Sequence, residues 1–281
     1  MLLTGLGSIM DEYDGYLIDL WGVVHDGAHV YPGALETLKA LQDHNKKVVL
    51  LSNGPRRVHV AHDRLAKLGV TSDLYTAVHT SGEQTYHLLA QQAKGQSFFH
   101  IGTERDDSLF EGLNLIKTDN IQKADFILCT DTLVWDQAVH DLDPVFTQAL
   151  ALKLPLICAN PDRVVFYQGG LKWCAGTLAH RYQEMGGNIT LIGKPHPEVY
   201  ATALSHMPNV STKRILAIGD SLRTDIQGAL TQGIDGVLIT GGIHMPDLGN
   251  AWGELPDAAA VKKVCAQYNI TPRYVMGSLV L

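Results

Sequence analysis

Short apolar runs, each halted by a turn signal, alternate along the chain with segments whose apolar positions recur at helical spacing. The first run, Tyr16, Leu17 and Ile18, reads as a buried strand that ends on Asp19. A turn at Gly22, then His25, Asp26 and Gly27, carries the chain away. Pro32 and Gly33 lead into ALETLKALQDHNKK, where Ala34, Leu35, Leu38 and Leu41 fall at helical spacing. Basic residues gather at the end of that helix, as its dipole prefers. KVVLLSNGP is a β-branched and Leu-rich run stopped by Asn-Gly-Pro, the pattern of a buried parallel strand. RRVHVAHDRLAKLGV predicts a second helix, with Gly69 as its stop. Strand, helix, strand, helix with short links implies right-handed βαβ units and a parallel sheet. Ligands of such sheets sit beyond the carboxyl ends of the strands, the edge occupied by Asp19 and Ser52.

The middle third repeats these elements. EQTYHLLAQQAKG predicts a helix, SFFHIG a strand, ADFILCTD a strand ending in an acid, DPVFTQALALKL a helix and PLICANPDR a strand with a turn. WCAGTLAHRYQEMGG follows as a helix with a Gly stop. The last third resumes with NITLIGKPHPEVYATALSHM: a strand, Lys194 in a Gly-Lys-Pro turn, and a helix. KRILAIGDSLRTDIQGALTQG then predicts a strand over 215–218, a turn at Gly219 and acids at Asp220 and Asp225. The strand GVLIT, a helix in DAAAVKKVCAQYN and an edge strand complete the chain. The predicted architecture is an α/β core of residues 1–79 and 188–281 with a parallel sheet, interrupted by an inserted α/β domain of residues 80–187.

Composition narrows the partners. The chain has 281 residues, long enough for a sizeable core, with 46% hydrophobic and 18% charged positions. A net charge of −7, without any cluster of Lys and Arg, argues against a nucleic-acid or anionic-membrane surface. An anionic substrate therefore needs locally placed positive charge, such as a bound metal. The four Cys occur singly, without a CxxC pair, and read as small core residues of a reducing compartment. The start MLLTGLGSIMDEYD lacks a basic segment and turns acidic, unlike a signal peptide. No apolar run approaches ~18 residues. The expectation is a cytoplasmic protein without a membrane span.

The candidate chemistry lies at four positions read as strand exits: Asp19, Ser52, Lys194 and the Asp220/Asp225 pair. Two carboxylates ~4 Å apart cost about 4 kcal/mol at an effective dielectric near 20. A hard divalent cation with oxygen ligands removes that cost, and Mg²⁺ typically combines one or two carboxylates with water and phosphate oxygens. A Lys and a Ser hydroxyl nearby can hold a phosphoryl group. Nucleophile, metal, cation and hydroxyl together suit phosphoryl transfer through an aspartyl-phosphate.

DLWGV at Asp19, LLSNG at Ser52, GKP at Lys194 and GDSLRTD from Asp220 to Asp225 resemble, in order and context, the signature of the haloacid dehalogenase (HAD) superfamily. The insert between the second and third motifs is similar to the cap of subclass IIA, the branch of ribonucleotide monophosphatase-like, pyridoxal phosphate phosphatase and 4-nitrophenylphosphatase proteins. ANPDR (159–163) and CAGTLAHRYQEMGG resemble that subclass too. The resemblance implies a Rossmann-like core with a substrate-selecting cap, and Mg²⁺-dependent hydrolysis of a small phosphorylated metabolite (sugar, nucleotide or vitamin phosphate). Asp19 would be the nucleophile and a metal ligand, the Trp21 carbonyl a second ligand, Asp220 another carboxylate on the metal, and Asp225 a holder of metal waters or of Lys194. Ser52 and Lys194 would grip the phosphoryl oxygens, helped by Asn53 and Gly54. A homodimer through the cap would match the relatives.

One departure matters. HAD phosphatases usually carry DxDG, whose second Asp is the general acid, and here that position is Trp21. The carbonyl survives the change, but a Trp cannot shuttle a proton, and such help is commonly worth ~10²–10⁴-fold. His25 and Asp26 stand as the obvious substitutes, His25 being a candidate catalytic residue beside its plainer reading as a turn residue. Trp21 reads as a packing residue on the active-site floor or a platform for a substrate ring. Two rivals follow: a phospho-ligand sensor that has lost turnover, and a metal-free dehalogenase, which gains nothing from the Asp220/Asp225 pair. Bland readings cover the rest. His59 and His62 sit on a solvated helix face, Asp131 and the turn at 160–162 are strand ends that face substrate or close Asx turns, and 170–177 is a cap loop.

Overall fold

In a computed structural model that describes residues 1–134, 138–167 and 170–281, the predicted strand–helix alternation builds two parallel sheets. Strand β1 (Gly15–Ile18) is buried at every position, as expected of a strand covered on both faces. Helix α1 (Ala34–Asp43) turns Ala34, Leu38 and Leu41 inward, β2 (Lys47–Ser52) follows, and α2 (Val58–Lys67) stops before Gly69, whose φ is +86°. A strand that periodicity did not reveal, β3 (Ala77–Thr80), then leads straight into α3 (Ser81–Gln92). The Thr80 hydroxyl caps that helix by accepting from Glu83 N at 3.0 Å, while the Glu83 carboxylate takes a 2.8 Å bond from Arg57 Nε.

The second sheet gathers β4 (Ser97–Ile101), β5 (Ile116–Lys117), β6 (Phe126–Cys129) and β7 (Leu156–Cys158), with α4 (Asp143–Ala151) between the last two. Strands β8 (Val164–Tyr167) and β9 (Gly170–Trp173) form a separate antiparallel hairpin before α5 (Ala175–Glu184) and β10 (Ile189–Leu191). The remainder is α6 (Pro197–Ser205), β11 (Ile215–Gly219), α7 (Gln227–Thr231), β12 (Asp235–Ile239), α8 (Met245–Leu248), α9 (Ala258–Tyr268) and β13 (Tyr274–Met276). The first sheet has the order β13-β12-β11-β1-β2-β3 and the second β10-β7-β6-β4-β5, every paired neighbour being parallel.

Three sequence readings need correction. The strand at 189–191, read as the start of the returning core, hydrogen-bonds to β7 and so closes the second sheet. The chain re-enters the first unit only after it, so Lys194 follows a crossover rather than the exit of a core strand. The stretch read as a loop over 170–177 holds β9 and the first turn of α5. Its four-residue alternation was too short to stand out beside the Gly-rich turn.

Each sheet has its own apolar core. Tyr16, Ile18, Leu38, Leu41, Leu50 and Ile218 pack together in the first unit, and Phe146, Leu156, Leu178 and Tyr182 in the second. The Phe146 and Tyr182 rings are fully buried with centroids 5.2 Å apart. Phe146→Ala should therefore cost ~3–5 kcal/mol, felt first in the second unit. Hydrogen exchange should accelerate in β6 and β7 while β1 keeps its protection. Uniform loss of protection in both sheets would mean that the two cores melt as one.

Candidate active site

The backbone N–H of Asp19 donates to the Ile218 carbonyl at 2.9 Å, continuing the ladder between β1 and β11 one residue past the strand. That pairing holds the Asp19 side chain at the carboxyl edge of the sheet, between the ends of β2 and β11. Ser52 is the last residue of β2 and Asp220 is the first residue after β11. Asp225 lies on a π-type helical turn, Leu222–Ile226, that opens α7. Lys194 arrives with the returning crossover.

These side chains meet. Lys194 Nζ donates to Asp19 Oδ1 and to Asp225 Oδ1, each at 2.7 Å, and to the Leu51 carbonyl at 2.9 Å, which uses all three of its protons. The ammonium is buried, and burial opposes its charge, but Asp19 and Asp225 overcome that and raise its pKa above the usual lysine value. Ligand oxygens of Asp19, Asp220 and Asp225 all lie within 4.8 Å of one another. Burial pushes the Asp19 carboxyl upward, the Lys194 ammonium pulls it down, and Asp225 adds repulsion. Asp220 is pushed well up by burial and by the charges of Asp19 and Asp225, against a 3.0 Å hydrogen bond that its Oδ2 accepts from Ile243 N. With every group ionised, three carboxylates face one ammonium, an excess of two negative charges in a desolvated pocket. An all-oxygen donor set with that excess fits a hard divalent cation. Among the described residues it is the one His, Cys, Asp or Glu group with such convergence.

Glycines make room for the carboxylates. A Cβ at Gly242 would stand 2.0 Å from Asp220 Oδ2, one at Gly22 2.2 Å from the same oxygen, and one at Gly219 2.0 Å from Asp225 Cγ. Gly22 also holds φ at +84°, a conformation that other residues adopt only with strain. Asn53 acts as a clip. Its Oδ1 accepts from Lys194 N at 2.7 Å, and its Nδ2 donates to the Lys194 carbonyl at 3.2 Å and to Asp162 Oδ1 at 2.9 Å. Ser52 Oγ accepts a 3.1 Å bond from Gly54 N.

A cavity of about 1050 Å³ opens over this cluster, lined by both units. Asp131 and Asp162, which the sequence leaves open as turn or substrate residues, both line it, and burial raises each to about 6. Asp162 does close an Asx turn, its N–H donating to Asn160 Oδ1 at 3.1 Å. His25 is buried, and burial followed by the charge of Arg64 lowers it to about 4. Its Nδ1 accepts from Gly27 N at 3.0 Å, and its ring stands edge-on to Trp21 with centroids 5.6 Å apart. A neutral imidazole with one nitrogen already bonded is a poor proton donor, so the candidacy of His25 as replacement acid finds no support in this geometry. Asp26 spends one oxygen on the Ala28 and His29 N–H groups, each at 2.7 Å. His62 packs on Tyr75 and bonds its hydroxyl at 2.7 Å. The Gly242 contact, the Asn53–Asp162 bond and a bond from Trp21 Nε1 to the Phe166 carbonyl at 3.1 Å escaped the sequence reading, since each joins positions far apart in the chain.

A parallel α/β sheet whose strand ends assemble three carboxylates around a buried lysine, beside a second α/β unit, defines the class: a Rossmann-like α/β protein with an inserted cap-like unit and an acidic site at the sheet's carboxyl edge. Two family models match the chain, haloacid dehalogenase-like hydrolase over residues 16–116 and HAD-hydrolase-like over residues 191–267. A haloacid dehalogenase-like hydrolase from Brucella suis is 32% identical, with a TM-score of 0.84 over 98% of this chain and 99% of that one. The chain belongs to the haloacid dehalogenase-like hydrolase family. A dihydroxyacetone phosphatase of Corynebacterium glutamicum is 28% identical over 81% of each chain. A glycerol phosphate phosphatase of Mycobacterium tuberculosis, solved in complex with magnesium, is 26% identical with a TM-score of 0.64, covering 84% of this chain and 70% of that one.

The packing of Asp220 yields a test. Gly242→Ala should displace that carboxylate without adding or removing a charge, weakening divalent-cation binding by ~10–100-fold. Isothermal titration with Mg²⁺ measures it, with the melting temperature as the check on folding. Unchanged affinity in a folded variant would remove Asp220 from the cation site.

Proposed function

We propose that this protein is a Mg²⁺-dependent phosphatase that hydrolyses a small phosphate monoester through a phospho-Asp19 intermediate. The observation that carries the reading is the convergence of Asp19, Asp220 and Asp225 around Lys194 beneath one cavity. Residues 1–80 and 192–281 would form the catalytic core, and the second sheet with its hairpin would be the cap that selects the substrate. Asp19, Asp220 and the Trp21 carbonyl would hold the cation, with Asp225 on its waters or on Lys194. When bound, the cation supplies positive charge that attracts phosphoryl oxygens to the acidic cluster and relieves the repulsion among the carboxylates.

The chain's own groups do the rest. A carboxylate oxygen of Asp19 attacks phosphorus in line, an aspartyl O–P bond forms, and the P–O bond to the leaving group breaks. Ser52 Oγ and the Asn53–Gly54 backbone would hold the phosphoryl oxygens, and the Lys194 ammonium, its protons given to Asp19, Asp225 and Leu51, would stabilise their charge through its field as it redistributes. Trp21 offers no proton to the leaving oxygen, which departs as an anion and takes its proton from water. Water then attacks the same phosphorus, the aspartyl O–P bond breaks, and phosphate leaves with Asp19 regenerated. The phosphatases among the relatives support the reaction type, and the magnesium complex of one of them supports the cation.

The absence of an acid at Trp21 also favours a second reading, a phospho-ligand binder without turnover. Assay of 4-nitrophenyl phosphate with Mg²⁺ separates the two. Turnover that falls at least ~10³-fold in Asp19→Asn and is abolished by EDTA supports the phosphatase. Tight binding of phosphate esters without turnover supports the binder, and neither behaviour would sink both. Without an internal proton donor, kcat should depend steeply on leaving-group basicity. Aryl phosphates should exceed sugar phosphates by ~10²-fold or more. Equal rates on the two classes would reveal a proton donor, and Asp162→Asn beside Asp131→Asn would then show which carboxyl supplies it.

A further inference from the structure

Trp21 joins the two units at a place where no crossover runs. Two other described side-chain bonds between the units lie close to the crossovers. Arg56 pairs with Asp106 at 3.2 Å and Asn53 with Asp162 at 2.9 Å. A Cβ at Gly82 would meet Arg56 N at 2.3 Å, and one at Gly193 would meet Pro161 at 2.8 Å, which places both bonds beside the connecting segments. Trp21, on the loop after β1, instead reaches the β8–β9 hairpin, which hydrogen-bonds to neither large sheet. Its indole N–H donates to the Phe166 carbonyl at 3.1 Å, and its ring lies tilted by 32° over Tyr167 with centroids 5.9 Å apart. The ring's other sides are also taken. His25 stands against it edge-on, and its six-membered ring covers Gly27 so closely that a Cβ there would be 2.3 Å from Cη2. Packed by the chain's own groups on three sides, the indole is poorly placed to serve as a platform for a substrate ring.

We propose that Trp21 is a positioning residue, the core-side latch that holds the β8–β9 hairpin down over Asp19. Residues of that hairpin, Val164, Val165, Tyr167 and Trp173, line the same cavity as Asp19, Asp220 and Asp225, so the latch would set the shape of that space. The inference about substrate placement rests on the phosphatase reading; the latch itself does not.

The test uses the full chain, first without substrate. Trp21→Phe keeps a ring and removes the N–H, and Trp21→Ala removes both. Hydrogen exchange in the peptides spanning 164–167 and 170–173 should quicken about fivefold in the first, the effect expected of one hydrogen bond, and by ~10–100-fold in the second. Strand β6 should be unaffected in both. The effects of Trp21→Ala and Tyr167→Leu on hairpin exchange should be non-additive. With 4-nitrophenyl phosphate, Trp21→Phe should act on KM, raised by a similar factor, more than on kcat, and Trp21→Asp should fall below the parent enzyme. Unchanged hairpin exchange in Trp21→Phe, additive effects, or a Trp21→Asp variant faster than the parent would overturn the proposal. If Trp21→Ala loses protection in β6 as well, the exchange rates of Trp21→Phe alone decide. Lack of turnover in the parent would defeat the phosphatase reading and leave the exchange result to decide the latch.

Discussion

The arrangement depends on one buried ammonium. Lys194 gives its three protons to Asp19, Asp225 and the Leu51 carbonyl, and is thereby tied to the ends of β1 and β2 and to the helical turn beyond β11. A desolvated lysine is tolerated only when so paired. The pairing is incomplete in a useful sense. Asp220 is held by a backbone N–H, that of Ile243, while the ammonium is spent on the other two carboxylates, and the cluster holds more negative than positive charge. The excess opposes an anionic substrate until a cation joins it. That is the physical reason for reading the cluster as a metal-assisted phosphoryl site rather than a structural ion pair.

Close packing gives this cluster its shape. Gly22 and Gly242 flank the Asp220 carboxylate and Gly219 lies against Asp225, so three carboxylates reach one point without side-chain bulk between them. Asn53 locks the Lys194 backbone on both its N–H and its carbonyl and extends one more bond to Asp162 in the second unit. The site is thus braced by the same contacts that orient the two units, and chemistry and closure share a support.

Trp21 is committed to contacts within the chain itself. As an indole, it spends its N–H on Phe166 and its faces on Gly27, His25 and Tyr167. His25 is disfavoured as a charged group by burial, and its Nδ1 accepts from Gly27 N. The chemistry proposed for this pocket therefore favours esters whose leaving group is stable as an anion.

Periodicity and turn residues alone determined the alternation of strands and helices, the parallel sheet and the carboxyl-edge positions of Asp19, Ser52 and Asp220, because those signals are local in the chain. The four motifs, taken together, determined the family. The short strands Ala77–Thr80 and Gly170–Trp173 were invisible, as four residues carry too little pattern to outweigh neighbouring helix and glycine signals. Ile189–Leu191 read correctly as a strand and was assigned to the wrong sheet, since partner choice is a long-range matter. Only the tertiary structure decided that Lys194 bonds both Asp19 and Asp225, that Gly242 makes room for Asp220, and that Trp21 grips a hairpin far along the chain. Those contacts join residues whose separation in sequence carries no periodicity, and they exist only once two independently packed cores have met.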